Sequence, residues 1–342
     1  MNKIIIDKAG LLTTIQDKGR WGFQQYGISV AGAMDHFAMT LANLLLGNDS
    51  NKALLECTYS GPEISFYCDE IISITGADMS PKINGKAVAM WTSLLVKAGD
   101  KLQLSGASSG LRSYIAFSRE LLVPALMGSK STFMRARLGG LGGNKLSKGD
   151  EIRLGEKEAS SQGTYLPPKY IPSYNKDACL RVVMGPQDDY FTKEAISTFL
   201  TSSYQISPEA DRMGYRLEGP RINHKDQVDI ISDGIVFGSI QVPGSGAPII
   251  MMSDRQTTGG YPKIATLITP DLSVLAQMGP GMRVNFKKVS VDEAHNLYKE
   301  HINKLAEIKE ALDKRHFHLG KTKNYILSLK GKSYKVQVDE IL

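Results

Sequence analysis

The stretch "KLQLSGASSGLRSYIAFS", Lys101–Ser118, admits two readings that lead to different folds. Its centre, Gly106–Gly110, fits G-x-S-x-G, the turn that lifts a nucleophilic serine, here Ser108, between a strand and a helix of an α/β hydrolase. The residues that follow argue otherwise. "SYIAFS" (Ser113–Ser118) is a short apolar run of strand type, and "KLQL" before it alternates. Two short strands around a Gly/Ser cluster make Ser108 a turn residue and the region all-β.

The neighbouring sequence repeats that pattern. "KIIIDK" (Lys3–Lys8), "IISITGA" (Ile71–Ala77) and "SLLVKAG" (Ser93–Gly99) are brief apolar runs divided by Gly, Asp or Ser. Such spacing predicts a sandwich or barrel rather than alternating βα units. The exceptions are few. "AMDHFAMTLANLLLGN" carries Met34, Phe37, Ala38, Leu41, Leu44 and Leu45 at helical spacing and stops at Gly47-Asn48. "TKEAISTFL" reads as a helix opened by Thr192.

The Pro- and Ser-containing segment before Asp177 reads as a linker, which divides the chain into an N-terminal β domain (1–157), the linker (158–177), a second β domain (178–288) and a tail (289–342). The two β domains echo each other. Leu55-Glu56 precedes "GPEI" (Gly61–Ile64), and Leu217-Glu218 precedes "GPRI" (Gly219–Ile222). The tail reads as a surface helix and then a hairpin turning at Lys330-Gly331-Lys332.

The charge balance narrows the function. Of the formal +6, residues 287–342 supply +4, from 12 Lys/Arg against 8 Asp/Glu. The body is near neutral, without the basic stripe that nucleic acid requires. No run approaches the ~18 apolar residues of a membrane helix, and "MNKIIIDKAG" is not a signal sequence. The three cysteines form no CxxC, and the six histidines form no ligand set, so no metal site is expected and the chain reads as cytoplasmic. "GGLGGN" (Gly139–Asn144) has neither the spacing nor the following helix of a phosphate loop.

Three polar constellations remain. One holds Gln16 and Arg20 in a Gly-rich loop, with Asp35 at the entrance of the first helix. Asp35 there either offsets the helix's positive end or frames an anion site built on it. The second is Arg212 beside Asp211 in "ADRMGYRLEGP", an arrangement that also occurs as a loop brace. The third follows "APIIMM", a run of buried-strand type. "DRQTTGGYPKIAT" supplies Asp254, Arg255, Gln256, Thr257, Thr258, Gly259, Gly260, Tyr261 and Lys263, and Asp233 and Gln241 lie just upstream. That is far more hydrogen-bonding capacity than a turn needs. Arg and Lys suit a carboxylate or phosphate, paired Gly residues admit close backbone approach, and Asp233 or Asp254 could orient or deprotonate a water.

The segments "QDKGRWGFQQYGISVAGAMD", "LLECTYSGPEISF", "DRMGYRLEGP", "SDGIVFGSIQVP" and "DRQTTGGYPKIAT" resemble the biotin-dependent carboxyltransferase-like family, in order from Gly10 to Phe286. Its members include the C-type subunits of 5-oxoprolinase, KipA proteins and a segment of urea carboxylase. The resemblance implies a mainly β fold, with two cyclophilin-like β-barrel domains and few helices, to which the helix and hairpin read in the tail are an appendage outside its reach. It implies a complex with two further subunits, a KipI-type sister (the B-type subunit of 5-oxoprolinase) plus a third, A-type one. That complex uses ATP to open the lactam of 5-oxoproline, giving glutamate, so ATP would act through the complex. The expected catalytic set is Asp233, Asp254, Arg255 and Lys263, with Gln16, Arg20, Asp35, Arg212, Gln241 and residues 256–261 binding substrate. Two alternatives stand beside it: biotin-dependent carboxyl transfer to urea or another amide, and a non-catalytic partner that antagonises a KipI-type kinase inhibitor. This sequence has no biotin-accepting Lys in an "AMKM"-type motif, so any biotin would come from another protein.

Overall fold

In the computed structural model, which describes residues 2–156, 164–226, 229–313, 319–329 and 332–341, the short apolar runs become strands. The N-terminal half contains β1 (Lys3–Lys8), β2 (Leu12–Gln16), β3 (Leu54–Thr58), β4 (Glu63–Phe66), β5 (Glu70–Asp78), β6 (Lys82–Ile83), β7 (Lys86–Ala87), β8 (Ser93–Val96), β9 (Lys101–Gln103), β10 (Ser109–Phe117) and β11 (Glu151–Arg153). They hydrogen-bond as two sheets, β11-β1-β4-β9-β6-β7 and β2-β3-β10-β5-β8. Alternation decides which face turns inward. Ile4 and Ile6 of β1 pair with Phe66 and Ile64 of β4, and all four are buried against Ile72, Ile74 and Phe117 of the facing sheet. A one-residue slip would turn this set to solvent.

β10 answers the question posed by Lys101–Ser118. Ser108 is exposed, its hydroxyl donates to the Asp78 carbonyl at 3.1 Å, and a strand rather than a helix follows it. It is a turn residue, not a nucleophile on an elbow. Both β5 and β10 are buried almost throughout because helix α1 (His36–Leu44) covers the sheet's outer face. Ser73 and Thr75 donate to the Ala42 and Ala38 carbonyls at 2.6 and 2.8 Å, fixing α1 to β5. Residues Phe37–Leu44 of α1 are all buried. Its N-cap is Asp35, whose carboxylate accepts from the Ala38 N–H at 2.9 Å.

The C-terminal half closes on itself. Strands β12 (Asp177–Met184), β13 (Ser203–Ile206), β14 (Gly214–Glu218), β16 (Ser239–Gln241), β17 (Ile249–Met251), β19 (Lys263–Leu267) and β20 (Arg283–Lys288) form a barrel in the order β12-β19-β16-β17-β14-β13-β20. Parallel pairing of β12 with β20 shuts it. A separate two-strand ribbon pairs β15 (Asp233–Gly234) with β18 (Thr258–Gly259) outside the barrel, close in sequence to Lys263 at the start of β19. Helix α2 (Lys193–Thr201) starts where expected, with Thr192 accepting from the Ala195 N–H, and stacks Phe199 on Phe286 at 4.5 Å. Helix α3 (Thr269–Ala276) was not evident from apolar spacing, although Pro270 at its start is a helix-opening signal.

Two later segments bind the halves together. From Thr164 the expected linker docks on β8, with Ser93 N–H donating to the Thr164 carbonyl at 2.7 Å, and Leu166 and Tyr170 join the apolar cluster under α1. Helix α4 (Val291–Asp313) buries Ile308 and Leu312 in the same cluster. Beyond it, β21 (Leu319–Leu329) pairs with β22 (Lys332–Ile341). The turn residues Lys330 and Gly331, the histidines His316 and His318, and residues 158–163 of the expected linker lie outside the described residues.

Candidate functional site

The seam between the halves is a polar clamp. Met34, from the segment that enters α1, is fully buried in the barrel core. Its N–H donates to Glu56 Oε2 at 2.7 Å, and the Tyr114 hydroxyl donates to the same oxygen at 2.9 Å. Glu56 Oε1 accepts from Arg212 Nη1. Arg212 Nε and Nη2 form a two-point fork on Asp254 at 3.1 and 2.9 Å, and Nη2 also donates to the Gly32 carbonyl at 2.6 Å. Burial alone would depress the Arg212 guanidinium, but the Asp254 and Glu56 charges more than offset it and its pKa is raised. Burial raises Asp254 despite Arg212, and raises Asp35 despite its bonds to Ala38 and Gln277.

Chemically, the clamp is closed. Both Asp254 oxygens face Arg212, and Asp35 caps α1 on one oxygen while the other accepts from Gln277 Nε2 at 2.8 Å. Asp254, expected as a catalytic carboxylate, and Arg212 and Asp35, expected on substrate, link the two halves, while Arg212 and Asp254 also line a cavity of about 420 Å³ and Asp35 one of about 430 Å³. A carboxylate with both oxygens bound to a buried guanidinium is a poor acceptor for a water proton. Glu56 was missed by sequence reasoning. Its signal is a lone carboxylate inside the apolar strand "LLECT", because a buried charge must find a partner.

A second cluster forms at the barrel mouth. Lys263, 3% exposed, donates from Nζ to Asp233 Oδ2 at 2.6 Å. Asp233 is half exposed, and its pKa is lowered first by that bond, then by the Gly234 N–H and Gln187. Gln187, missed from sequence, bridges the pair: Nε2 donates to Asp233 at 3.2 Å and Oε1 accepts from the Lys263 N–H at 3.3 Å. Two glycines make the geometry possible. A Cβ on Gly185 would stand 2.1 Å from the Lys263 carbonyl oxygen, and one on Gly259 would stand 2.8 Å from Gln241 Nε2. Gln241 itself donates to the Tyr261 carbonyl at 3.2 Å. Gln256, Thr258 and Tyr261 are exposed and Gly260 partly so, while Thr257 lines the cavity that contains Arg255.

Arg255 points elsewhere. It is 6% exposed and lines a cavity of about 660 Å³ bounded by the α1 entrance, residues 234–237, α3 and His301 of α4. Its Nε and Nη1 donate to the Ile235 and Met252 carbonyls at 3.2 and 3.3 Å, and its guanidinium lies 5.5 Å from the Phe237 ring centroid. Burial pushes its pKa down to about 10, so it remains a cation at neutral pH. His36 and Trp21, neither of them expected in the site, line the same space.

Gln16 and Arg20 fall in a third place, inside the N-terminal half. Gln16 Nε2 donates to Thr14 Oγ1 and the Thr132 carbonyl at 2.9 and 3.2 Å. Arg20, with no exposure, donates from Nη2 to the Ser131 carbonyl at 2.5 Å, while its Nε and Nη1 lack partners among the described residues. The expected residues thus divide between a closed seam, an open mouth, a cavity and a loop core.

The family described as "Carboxyltransferase domain, subdomain A and B" matches residues 26–288. The chain is similar to the C-type subunit of 5-oxoprolinase from Escherichia coli, 39% identical over 86% of this chain and 93% of that protein. It is similar to the protein of the same name from Haemophilus influenzae, 34% identical over 88% of this chain and 96% of that one. Among solved structures, urea carboxylase of Kluyveromyces lactis superposes on 99% of this chain with a TM-score of 0.85 at 26% identity, this chain matching 32% of that one. Matched over most of its length by the family and by relatives of nearly equal extent, the chain belongs to the carboxyltransferase domain, subdomain A and B, family.

Proposed function

We propose that this chain is the C-type subunit of an ATP-dependent 5-oxoprolinase, a cytoplasmic complex that opens the lactam of 5-oxoproline to glutamate. The reading rests on similarity to the two 5-oxoprolinase subunits of that type, and its chemistry on one observation: the Asp233–Lys263 pair at the barrel mouth. An ammonium has three donors, and Asp233 occupies one. Lys263 is thus suited to stabilise negative charge developing on a carbonyl oxygen in a largely water-excluded position. Asp233, kept ionised by that contact, is a weak base and serves to orient the attacking water. Gly185 lets its turn approach the Lys263 backbone, and Gly259 pairs with Asp233 in the β15–β18 ribbon.

ATP would activate the lactam carbonyl. Neither Gly-rich stretch of this chain opens a helix: "GASSG" runs into β10, and "GGLGGN" lies among turns and bridges. Nucleotide handling is read as shared with, or belonging to, the KipI-type and third subunits. The urea carboxylase likeness keeps one alternative in view, carboxyl transfer from a partner's biotin, at the lower identity of 26%.

The test is co-purification with the two partner subunits, followed by glutamate formation from 5-oxoproline with and without ATP and avidin. ATP-dependent, avidin-insensitive turnover that disappears in Lys263→Met supports the reading. Avidin-sensitive turnover, or no turnover from the assembled complex, overturns it.

A further inference from the structure

The cavity that contains Arg255 excludes the whole Asp233–Lys263 cluster: Asp233, Lys263, Gln187 and Gln241 are all absent from its lining. We infer that it is a second binding site, for an organic monoanion with a flat apolar body, anchored on the Arg255 guanidinium. This inference does not rest on the proposed reaction.

Arg255 is a buried cation without an ion pair among the described residues: its two hydrogen bonds go to carbonyl oxygens, at 3.2 and 3.3 Å, and Nη2 makes none. The adjacent carboxylate, Asp254, faces Arg212. Among the described residues, no carboxylate lines the cavity. Burial acts against the Arg255 charge and only the Asp254 charge opposes it, so an anion brought to the unanswered Nη2 edge adds compensation. The two histidines of the lining add no positive charge at neutral pH, since burial holds His36 down to about 4 and also lowers His301. One cation and no anion match a single negative charge, which argues against inorganic phosphate.

The walls describe the rest of the ligand. Met34, Phe237 and Leu272 present apolar surface inside, and Trp21 stands 57% exposed at the rim. The aromatic groups favour a planar body. At about 660 Å³ the space falls within the range of roughly 300–1,000 Å³ occupied by organic ligands of drug size, well beyond a single small lactam. The recognition chemistry is therefore a carboxylate or sulfonate on an aromatic or fused-ring frame.

The test uses the full chain and 2-naphthoate, with uncharged 2-naphthamide as its isostere, in a calorimetric titration. We expect one-to-one binding of naphthoate, at least about tenfold weaker binding of naphthamide, and a loss of about tenfold or more in Arg255→Met with partial recovery in Arg255→Lys. Val236 lines the cavity and is 57% exposed, so Val236→Trp should fold normally and block entry. It decides the question if Arg255→Met fails to fold. Equal affinity for acid and amide, or unchanged naphthoate affinity in Val236→Trp, overturns the inference. So does an Asp233→Asn variant that loses naphthoate, because the probe would then sit on the barrel-mouth pair.

Discussion

Arg212 and Arg255 are both about 95% removed from solvent, on the same half of the molecule, yet their surroundings differ in kind. Arg212 directs donors to Asp254, Glu56 and the Gly32 carbonyl, and every partner belongs to the protein. Arg255 finds two carbonyl oxygens and, among the described residues, no carboxylate, and its remaining edge faces a cavity. Burial and charge are the same at the two positions; satisfaction is not. Arg212, with its donors answered from within, belongs to the scaffold, whereas Arg255 lines a cavity, unlike Arg20, whose nitrogens without partners among the described residues lie in a loop core.

The largest expected effect follows from the closed side of that contrast. Arg212→Met leaves Glu56 and Asp254 buried without their counter-charge and cuts the link from the barrel to β3 and the Gly32 turn. Removing one member of a buried ionic set costs about 3–5 kcal/mol. Urea denaturation should show a loss of that size, and naphthoate binding should survive wherever the variant folds. A loss below about 1 kcal/mol, the scale of an exposed pair, would mean that the clamp is solvated and the contrast with Arg255 is false.

The next effect separates scaffold from chemistry. Lys263→Met should lower turnover of the assembled complex by about 10²-fold or more, the range for removal of a charge-stabilising donor. Because Asp233 is half exposed and can recover solvation, stability should fall far less than it does in Arg212→Met. Equal damage to folding and turnover would place Lys263 with Arg212 as a structural cation.

Little of this contrast could be read in the chain itself. The strands were legible because each short apolar run carries its own two-residue period, and α2 because Thr192 stands at its opening. The barrel-mouth lead was legible because polar side chains exceeded what a turn after "APIIMM" could use. The division of labour was not. Arg212 and Arg255 each stand beside an Asp in sequence, but the Glu56 that closes the clamp lies 156 positions from Arg212, and the Asp254 that Arg212 grips lies 42 away. Gln187 follows β12 in an ordinary-looking turn and gains its role only because Gly185 lets that turn approach Lys263. That helix α1 is covered on all sides was not legible either, because its second neighbour, α4, comes more than two hundred residues later.

The smallest effect sharpens the open side of the comparison. His36 lines the Arg255 cavity, its ring 6.0 Å from that of Phe237. Burial lowers its pKa from the usual 6.5 to about 4; Lys18 and Arg212 act in the same direction, and Glu56 and the Ala33 carbonyl oppose them. The folded state therefore binds fewer protons than the unfolded chain between these two values. Stability attached to neutral His36 is complete above about pH 6.5 and is lost as pH falls toward 4, below which the loss levels off. Between pH 7 and 5 the loss amounts to about 2 kcal/mol. Urea titrations at the two pH values should show that difference in the native protein and much less of it in His36→Gln. If His36→Gln keeps the full slope, the imidazole is not desolvated by the cavity wall. The cavity would then be wetter at its α1 end than its apolar walls indicate. Saturating naphthoate offers a control on the same measurement: an anion seated near His36 favours the protonated ring, so the slope should flatten only if the ligand lies beside Arg255 and not at the barrel mouth.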